Sequence, residues 1–293
     1  MTNPSFLHLY KIQKILIAPI VLEMILESPE TFGGLIHSLP VTNLYLILLL
    51  TFYITSSIAT KYKVKIKESK TKAITNVNSD NKTTSTSSTS PSSSSSQRTH
   101  IQVLANSIVA SILVISSIFT FDDKILSLFK AGIIAQYATV ISDTWSSELG
   151  ILSKSSPILI TTFNPVPPGT NGGVSKVGLI AGILGSSLIS LIASLTFNDN
   201  KFWNFVFFTI IGTIGTLIDS LLGSIFQSSI VDKQSGLILE ASGGGKIIFD
   251  LKKHGNDYRK VSGDDILSNN EVNVITALLT TLLAIGFYDI LGF

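Results

Sequence analysis

Six stretches of about twenty mostly apolar residues recur along this chain, and they constrain its fold more than any other feature. They lie at about 41–60, 102–121, 125–145, 174–195, 202–226 and 272–292. A helix needs about 20 apolar residues to cross the hydrocarbon core of a bilayer. Charged residues make up only 14% of the chain, whereas soluble domains contain about 25%. The sequence therefore predicts an all-α fold, a polytopic transmembrane bundle of about six spans.

The segments outside these spans differ in composition. Residues 1–40 contain a shorter apolar stretch that a proline and a glutamate interrupt, and we interpret it as an interfacial or re-entrant helix. After the first span, at 41–60, residues 61–100 begin rich in lysine, and residues 83–96 are all Ser, Thr or Pro. Such a segment cannot bury enough apolar surface to offset its ordering entropy. We therefore expect a disordered linker over 61–100, followed by the main membrane bundle over 101–293.

The distribution of lysine and arginine predicts the orientation in the membrane. Eight lie in residues 61–100, two in 150–176 and six in 227–270, whereas the short hairpins at 122–124 and 197–201 carry one each. Positive charges concentrate in the cytosolic loops of membrane proteins. The three long loops are therefore predicted to be cytosolic, and the two hairpins lie across the membrane.

Three carboxylates, those of Asp143, Glu148 and Asp219, fall within or beside the predicted spans. A charged residue at the centre of a spanning helix costs roughly 2.5–3.5 kcal/mol on insertion scales, so such residues are candidates for function. Asp219 lies about 10 Å below the predicted cytosolic end of its span. Asp143 and Glu148 are about 140° apart on an ideal helix, so one ion can bind both only if the helix ends between them or another segment fills the gap. The alternative for Asp143 and Glu148 is that they are solvated at a helix end. The alternative for Asp219 is that it forms a structural pair within the protein.

A loop rich in proline and glycine lies directly before the fourth span. Residues 164–173 contain three prolines followed by three glycines. Glycine lets the backbone approach a ligand closely, and a helix N-terminus offers free N–H groups to an anion. The loop is therefore a candidate phosphate cradle, and an ordinary turn is the alternative. The candidate phosphate-binding residues in it are Gly169, Thr170, Asn171, Gly172, Gly173 and Ser175.

Several ordered motifs in this chain resemble the transmembrane protein 19 family. The resemblance is carried by residues 142–150, 159–162 and 166–175, and by Asp219 to Gly223 with Gln227. It extends from about residue 55 to the C-terminus, although the usual extra N-terminal spans are shortened here and the Ser-rich insert is peculiar to this chain. The resemblance implies a polytopic bundle. Plant members of the family are associated with phytyl-phosphate kinase activity, which makes an isoprenoid diphosphate from the monophosphate.

The function that we expect from this resemblance is Mg²⁺-dependent phosphoryl transfer from a nucleotide triphosphate to an isoprenoid monophosphate at the cytosolic interface. Mg²⁺ takes carboxylates together with phosphate oxygens, so Asp143, Glu148 and Asp219 are the candidate catalytic and metal-binding residues. Further candidates for binding the substrate phosphate are Lys61, Arg98, Asn106 and Lys154.

Two other classes of function remain open. An ion- or proton-coupled transporter would use the same carboxylates, and a structural membrane protein would use none of them. We find no inverted repeat of the kind typical of transporters, which favours the enzyme. We expect a membrane lipid or an isoprenoid phosphate as partner, no nucleic acid, and an endomembrane such as the endoplasmic reticulum; the sequence leaves the oligomeric state open.

Overall fold

The computed structural model of the protein describes residue 36 and residues 43–74, 99–246 and 257–292. The helices are α1 (Leu44–Lys61), α2 (Val64–Glu68), α3 (His100–Phe119), α4 (Asp123–Gly150), α5 (Lys176–Ser194), α6 (Lys201–Phe226) and α7 (Asn269–Leu291). The strands are β1 (Thr71–Ile74), β2 (Ile158–Leu159), β3 (Gly173–Val174), β4 (Ser229–Asp232), β5 (Ile238–Ala241) and β6 (Tyr258–Ser262).

Six helices in the described part of the chain, α1 and α3 to α7, are long and apolar enough to cross a membrane. They coincide with the six predicted spans, so the prediction of a polytopic helical bundle is confirmed. The bounds of α4 differ most, because this helix has 28 residues and continues to Gly150. At about 1.5 Å per residue it is roughly 42 Å long, which is more than the ~30 Å hydrocarbon core requires.

Local sequence explains where several of these helices begin. Thr99 and Ser268 each form a capping box with the residue three positions later. Asp122 accepts hydrogen bonds from two backbone N–H groups at the start of α4, and Ser175 accepts one from Gly178 at the start of α5. Each cap satisfies backbone donors that the first helical turn leaves unpaired.

Helix α4 is the centre of the bundle and packs against the other five spanning helices. Its middle section is fully buried, including Ile133, Ile134 and Tyr137. Glycines on α5 and α6 allow close contact: a Cβ on Gly182 would lie 2.9 Å from Ser142 Oγ, and one on Gly215 would lie 2.4 Å from Thr139 Cγ2. Small residues at helix contacts are typical of membrane bundles, where association depends on close packing.

A four-stranded sheet lies at the end of the bundle where α1, α4 and α6 end and α3, α5 and α7 begin, which we call the loop end. The strand order is β1-β5-β4-β6, with β1 parallel to β5 and β4 antiparallel to both β5 and β6. Strands β2 and β3 form a separate antiparallel pair. The short hairpins after α3 and α5 lie at the opposite end.

The predicted disordered linker over 61–100 began too early in the chain. Residues 61–74 contain the end of α1, all of α2 and strand β1, which pairs with β5. Lysines in this segment donate hydrogen bonds to specific groups at the helix ends. The amino-acid composition of the segment does not indicate these contacts. Residues 75–98, like residues 1–35 of the predicted N-terminal segment, lie outside the described residues.

Candidate functional site

Asp143 and Asp219 lie near one another where α4, α6 and α7 pack together. Asp143 Oδ1 accepts a hydrogen bond of 3.3 Å from the Thr216 hydroxyl, and Asp219 Oδ2 accepts one of 3.2 Å from the Thr276 hydroxyl. The two carboxylates are near enough to interact electrostatically, and both side chains are half-buried. Among the described residues, no lysine, arginine or histidine forms an ion pair with either. Two carboxyl groups therefore share one site without a cation from the described protein.

The close approach of α4 and α6 explains why these carboxylates come together. Thr139 of α4 lies against Gly215 of α6, and Asp143 and Asp219 each follow one turn later on their own helix. The two helices run in the same direction, so one turn along each brings both aspartates to the same level. Residues four apart share a helix face, so this placement follows from the helical geometry.

A group of side-chain amides from three helices continues this polar region. Gln136 Nε2 donates to the backbone carbonyl of Asn106 over 2.9 Å, and Asn273 Nδ2 donates to Asn106 Oδ1 over 3.1 Å. Gln136 is completely buried, and its Oε1 has no hydrogen-bond partner in the part of the chain that the structure describes. Asn273 is one turn before Thr276 on α7, so the predicted binding residue Asn106 is connected to the aspartate pair through α7.

Glu148 does not join the aspartate pair, because it lies on another face of α4. Its carboxylate accepts hydrogen bonds from Thr60 Oγ1 at 2.8 Å and from Lys67 Nζ at 2.7 Å. Lys67 Nζ also donates to the carbonyls of Ala59, at 2.6 Å, and of Thr60, at 3.1 Å. Glu148 is therefore held in an ion pair that attaches α4 to the end of α1.

The predicted Mg²⁺ site with three carboxylates is consequently not assembled. Helix α4 continues without a break through Asp143 and Glu148, so no helix end lies between them, and Lys67 binds the Glu148 carboxylate. No group of three His, Cys, Asp or Glu side chains in the described ranges could hold a metal ion. The physical reason is the angle of about 140° between residues five apart on a helix.

The glycine-rich loop packs against the last turns of α6. Gly169 and Gly172 have φ values of +87° and +76°, which favour glycine. A Cβ on Gly172 would lie 2.4 Å from Ser224 Cβ and 2.5 Å from the Ser220 carbonyl oxygen. The close contact requires glycine at this position, and it holds the loop one turn beyond Asp219 on α6.

Most of the polar groups expected to bind phosphate in this loop have partners within the protein. The N–H groups of Thr170 and Gly173 donate within the loop, over 3.3 and 2.9 Å. Asn171 N donates to Ser229 Oγ over 2.9 Å, and Ser175 caps α5. The N–H of Gly172 donates to no group among the described residues. The loop as a whole is thus a packed connection.

Among the described residues, none of the predicted cationic residues contacts the aspartate pair. Lys61 and Lys154 are exposed at the loop end, and Arg98 lies outside the described residues. Sequence analysis missed the structural lysines of the first long loop, Lys67 and Lys70. Lys70 Nζ donates to the carbonyls at the end of α4, over 2.7 and 2.9 Å. The high density of lysines over residues 61–72 was the signal for them in the sequence.

A further ion pair stabilises the sheet. Lys72 Nζ on β1 lies 2.8 Å from the carboxylate of Asp232 on β4. The hydrogen bond from Lys72 lowers the pKa of Asp232 to about 2, and the same bond raises the pKa of Lys72. The two strands are not neighbours in the sheet, so this pair connects them across β5.

Comparisons with known proteins agree with the helical architecture. A family profile described as "Integral membrane protein DUF92" matches residues 30–281. Protein PGR of Arabidopsis thaliana is 36% identical over 220 residues, which cover 64% of this chain and 68% of that protein. An uncharacterized membrane protein of Methanocaldococcus jannaschii is 42% identical over 125 residues, covering 43% of this chain and 50% of the relative.

A third relative is Protein VTE6, chloroplastic, of Arabidopsis thaliana, which is 35% identical over 89 residues. That match covers 30% of this chain and 27% of VTE6. No solved structure matches the chain.

Proposed function

This chain belongs to the integral membrane family DUF92, in agreement with the resemblance seen in its motifs, and from that membership we propose that it is a membrane phosphotransferase. The reaction proposed is transfer of a phosphoryl group from a nucleotide triphosphate to an isoprenoid monophosphate. The multi-pass architecture is that of an integral membrane protein. We place it in an endomembrane such as the endoplasmic reticulum, with an isoprenoid phosphate or another membrane lipid as its partner.

The observation that carries this proposal is the pairing of Asp143 with Asp219. Like charges that approach one another within a membrane bundle are costly, so a protein that retains them has a use for their charge. Their only hydrogen-bond donors among the described residues are the hydroxyls of Thr216 and Thr276, which orient the carboxylates without neutralising them. The site therefore offers two carboxyl groups, which are the ligand type expected of a cation site.

The two aspartates fit the ligand requirements of Mg²⁺. In phosphoryl-transfer sites this ion is usually bound by one or two carboxylates, several waters and the substrate phosphates. Asp143 and Asp219 would supply the carboxylates, and Glu148 is excluded by its pairing with Lys67. When bound, Mg²⁺ would neutralise the charge that develops on the oxygens of the transferring phosphoryl group.

The position of the pair suits a substrate with an apolar tail and an anionic head. Asp143 lies seven residues before the end of α4 and Asp219 seven before the end of α6, so each is about 10 Å below the loop end. An isoprenoid chain would lie in the bilayer with its phosphate near that depth. The nucleotide would approach from the loop end.

An activity assay tests the proposal directly. Purified full-length protein in detergent is supplied with phytyl or geranylgeranyl monophosphate, Mg²⁺ and either CTP or ATP, and the diphosphate is measured by mass spectrometry. Asp143→Asn and Asp219→Asn are each expected to lower turnover by about 100-fold or more. Asp199→Asn, an exposed position in the hairpin after α5, is the matched control and should retain turnover. Absence of turnover in wild type, or full turnover in both aspartate variants, contradicts the proposal.

The amide group of Gln136, Asn106 and Asn273 favours one alternative, transport of a cation or proton. Gln136 Oε1 is a buried acceptor without a hydrogen-bond partner among the described residues, and Gln136 lies about two turns before Asp143 on α4. Polar and ionisable residues inside membrane bundles mark ion and proton pathways. This alternative predicts ion flux in reconstituted vesicles without nucleotide, and flux should depend on Gln136 and Asp219.

A further inference from the structure

One face of α1 is apolar and exposed along the whole helix. Its side chains follow at intervals of three or four residues, and each is between 45% and 63% exposed: Ile47, Leu50, Ile54 and Ile58. Residues at this spacing share one face of a helix, and in a spanning helix an exposed apolar face is in contact with the acyl chains. Lys61 and Tyr62 follow Ile58 by three and four residues, so they lie at the end of this lipid-facing side.

The length of α1 indicates the depth at which it ends. Its 18 residues make it about 27 Å long, close to the ~30 Å thickness of the hydrocarbon core. Tyr62 directly follows the helix and is 50% exposed, and tyrosine is enriched where hydrocarbon meets the headgroups. The chain from Lys61 onward therefore lies at the level of the headgroups, at the loop end.

Helix α2 is held across the ends of α1 and α4 by two lysines that are directed inward. Lys67 binds Glu148 and two carbonyls of α1, and Lys70 binds two carbonyls at the end of α4. These contacts fix the orientation of the short helix. Lys65 is two residues before Lys67, about 160° away around the helix axis, so it is directed away from the bundle.

Three exposed lysines lie together on this outward side. None of them forms an ion pair with any residue that the structure describes: Lys61, Lys63 and Lys65. Lys63 Nζ lies 5.2 Å from the centroid of the Tyr62 ring, so its ammonium is beside the residue that marks the boundary. Glu68 is the only acidic residue in the sequence from 61 to 74. The exposed side therefore has three positive charges against one negative charge.

An exposed isoleucine on α2 favours a lipid over a soluble anion as the partner of these lysines. Ile66 is 47% exposed and directly follows Lys65, on a helix that lies outside the six spans. Apolar side chains beside lysines are typical of helices in the membrane interface, where the apolar groups reach the acyl boundary and the cations attract anionic lipids. A nucleic acid or an acidic peptide would match the charges but would leave Ile66 in water.

We propose that Lys61, Lys63 and Lys65 bind the headgroup of an anionic phospholipid in the leaflet at the loop end. The phosphate and any further acidic group of the headgroup accept hydrogen bonds from the three ammonium groups, and the acyl chains lie along the exposed face of α1. This site is separate from the aspartate pair and does not depend on the proposed phosphoryl transfer. It gives Lys61 a role other than the predicted binding of the substrate phosphate.

The lipid composition next to position 62 tests this site. The chain has two tryptophans, so Tyr62→Trp combined with Trp145→Phe and Trp203→Phe places a single fluorophore there. Its quenching is measured in reconstituted vesicles that contain brominated phosphatidylserine or brominated phosphatidylcholine. A lysine near the membrane surface contributes about fivefold to the binding of anionic lipid, so three should give a preference for phosphatidylserine of about tenfold or more. Replacing all three lysines with glutamine should reduce that preference to about twofold or less, and so should about 0.5 M salt.

Trp203 provides the matched control, with Trp145→Phe as the only substitution. It is exposed near the hairpin end and follows Lys201, whose charge Asp199 balances in the same hairpin. Its preference for phosphatidylserine should therefore be about twofold or less. An equal preference at both positions would show general attraction to an anionic membrane and would overturn the site.

The site would also be overturned by a preference below about twofold at position 62, or by one that the three glutamines leave unchanged. Thermal unfolding in phosphatidylcholine shows whether each variant is folded. If the tryptophan variants are not, native mass spectrometry of the wild type and of Lys61→Gln, Lys63→Gln and Lys65→Gln combined decides. The wild type should then retain phosphatidylserine about tenfold better than the combined variant, and equal retention would refute the proposal.

Discussion

Replacing Lys67 with methionine should destabilise the protein by separating α4 from the end of α1. Lys67 is 8% exposed, and its ammonium contacts the Glu148 carboxylate at 2.7 Å as well as the carbonyls of Ala59 and Thr60. Removing one partner of a buried ion pair costs about 3–5 kcal/mol. The Glu148 side chain is 25% exposed and keeps its hydrogen bond from Thr60, so we expect the lower end, about 3 kcal/mol.

A double-mutant cycle identifies the source of this loss. Unfolding in detergent is measured for Lys67→Met, for Glu148→Gln and for the two together. Because the double variant leaves no buried charge unpaired, it should be more stable than Lys67→Met alone by about 1 kcal/mol or more. Lys65→Met, an exposed lysine on the same short helix, is the control and should change stability by less than about 0.5 kcal/mol.

The same variants separate structure from catalysis. Glu148→Gln should lower stability yet retain turnover, whereas Asp143→Asn should lose turnover. A loss below about 1 kcal/mol for Lys67→Met, or additive effects in the cycle, would refute a stabilising ion pair. Loss of turnover in a folded Glu148→Gln would instead return Glu148 to the catalytic site.

Three further predictions concern packing, acid stability and charge. Gly215→Ala should cost about 1–3 kcal/mol in unfolding experiments, because its Cβ would lie 2.4 Å from a threonine of α4, whereas Gly286→Ala, with nothing within 4 Å, should be neutral or slightly stabilising. Lys72→Met should lower the unfolding temperature by a constant amount above about pH 4. That difference should shrink as the pH falls toward the Asp232 pKa of about 2, because protonation removes the pair from wild type as well. Asp219→Asn should raise the ligand-free unfolding temperature, since it removes one of two like charges, and should abolish stabilisation by Mg²⁺; a lower temperature would contradict this.

The sequence predicted the spans well because bilayer insertion depends on local composition. Each of the six apolar stretches is sufficient on its own to form a helix of membrane length, and caps such as Thr99 and Ser268 mark where two of these helices begin. The structured segment 61–74 was missed because its order depends on distant partners. Lys67 and Lys70 contact the ends of two helices, and composition does not contain that information.

By itself, the sequence determined the number of spans, the family and the helical angle that separates Asp143 from Glu148, since all three follow from local patterns. Tertiary structure alone decided which carboxylates meet. Asp143 and Asp219 are 76 residues apart in the chain and come together because glycines let α6 approach α4 closely. Glu148 lies on another face of α4 and binds Lys67, a contact that the sequence does not indicate. Contacts between distant residues depend on the packing of whole helices, which no short stretch of sequence encodes.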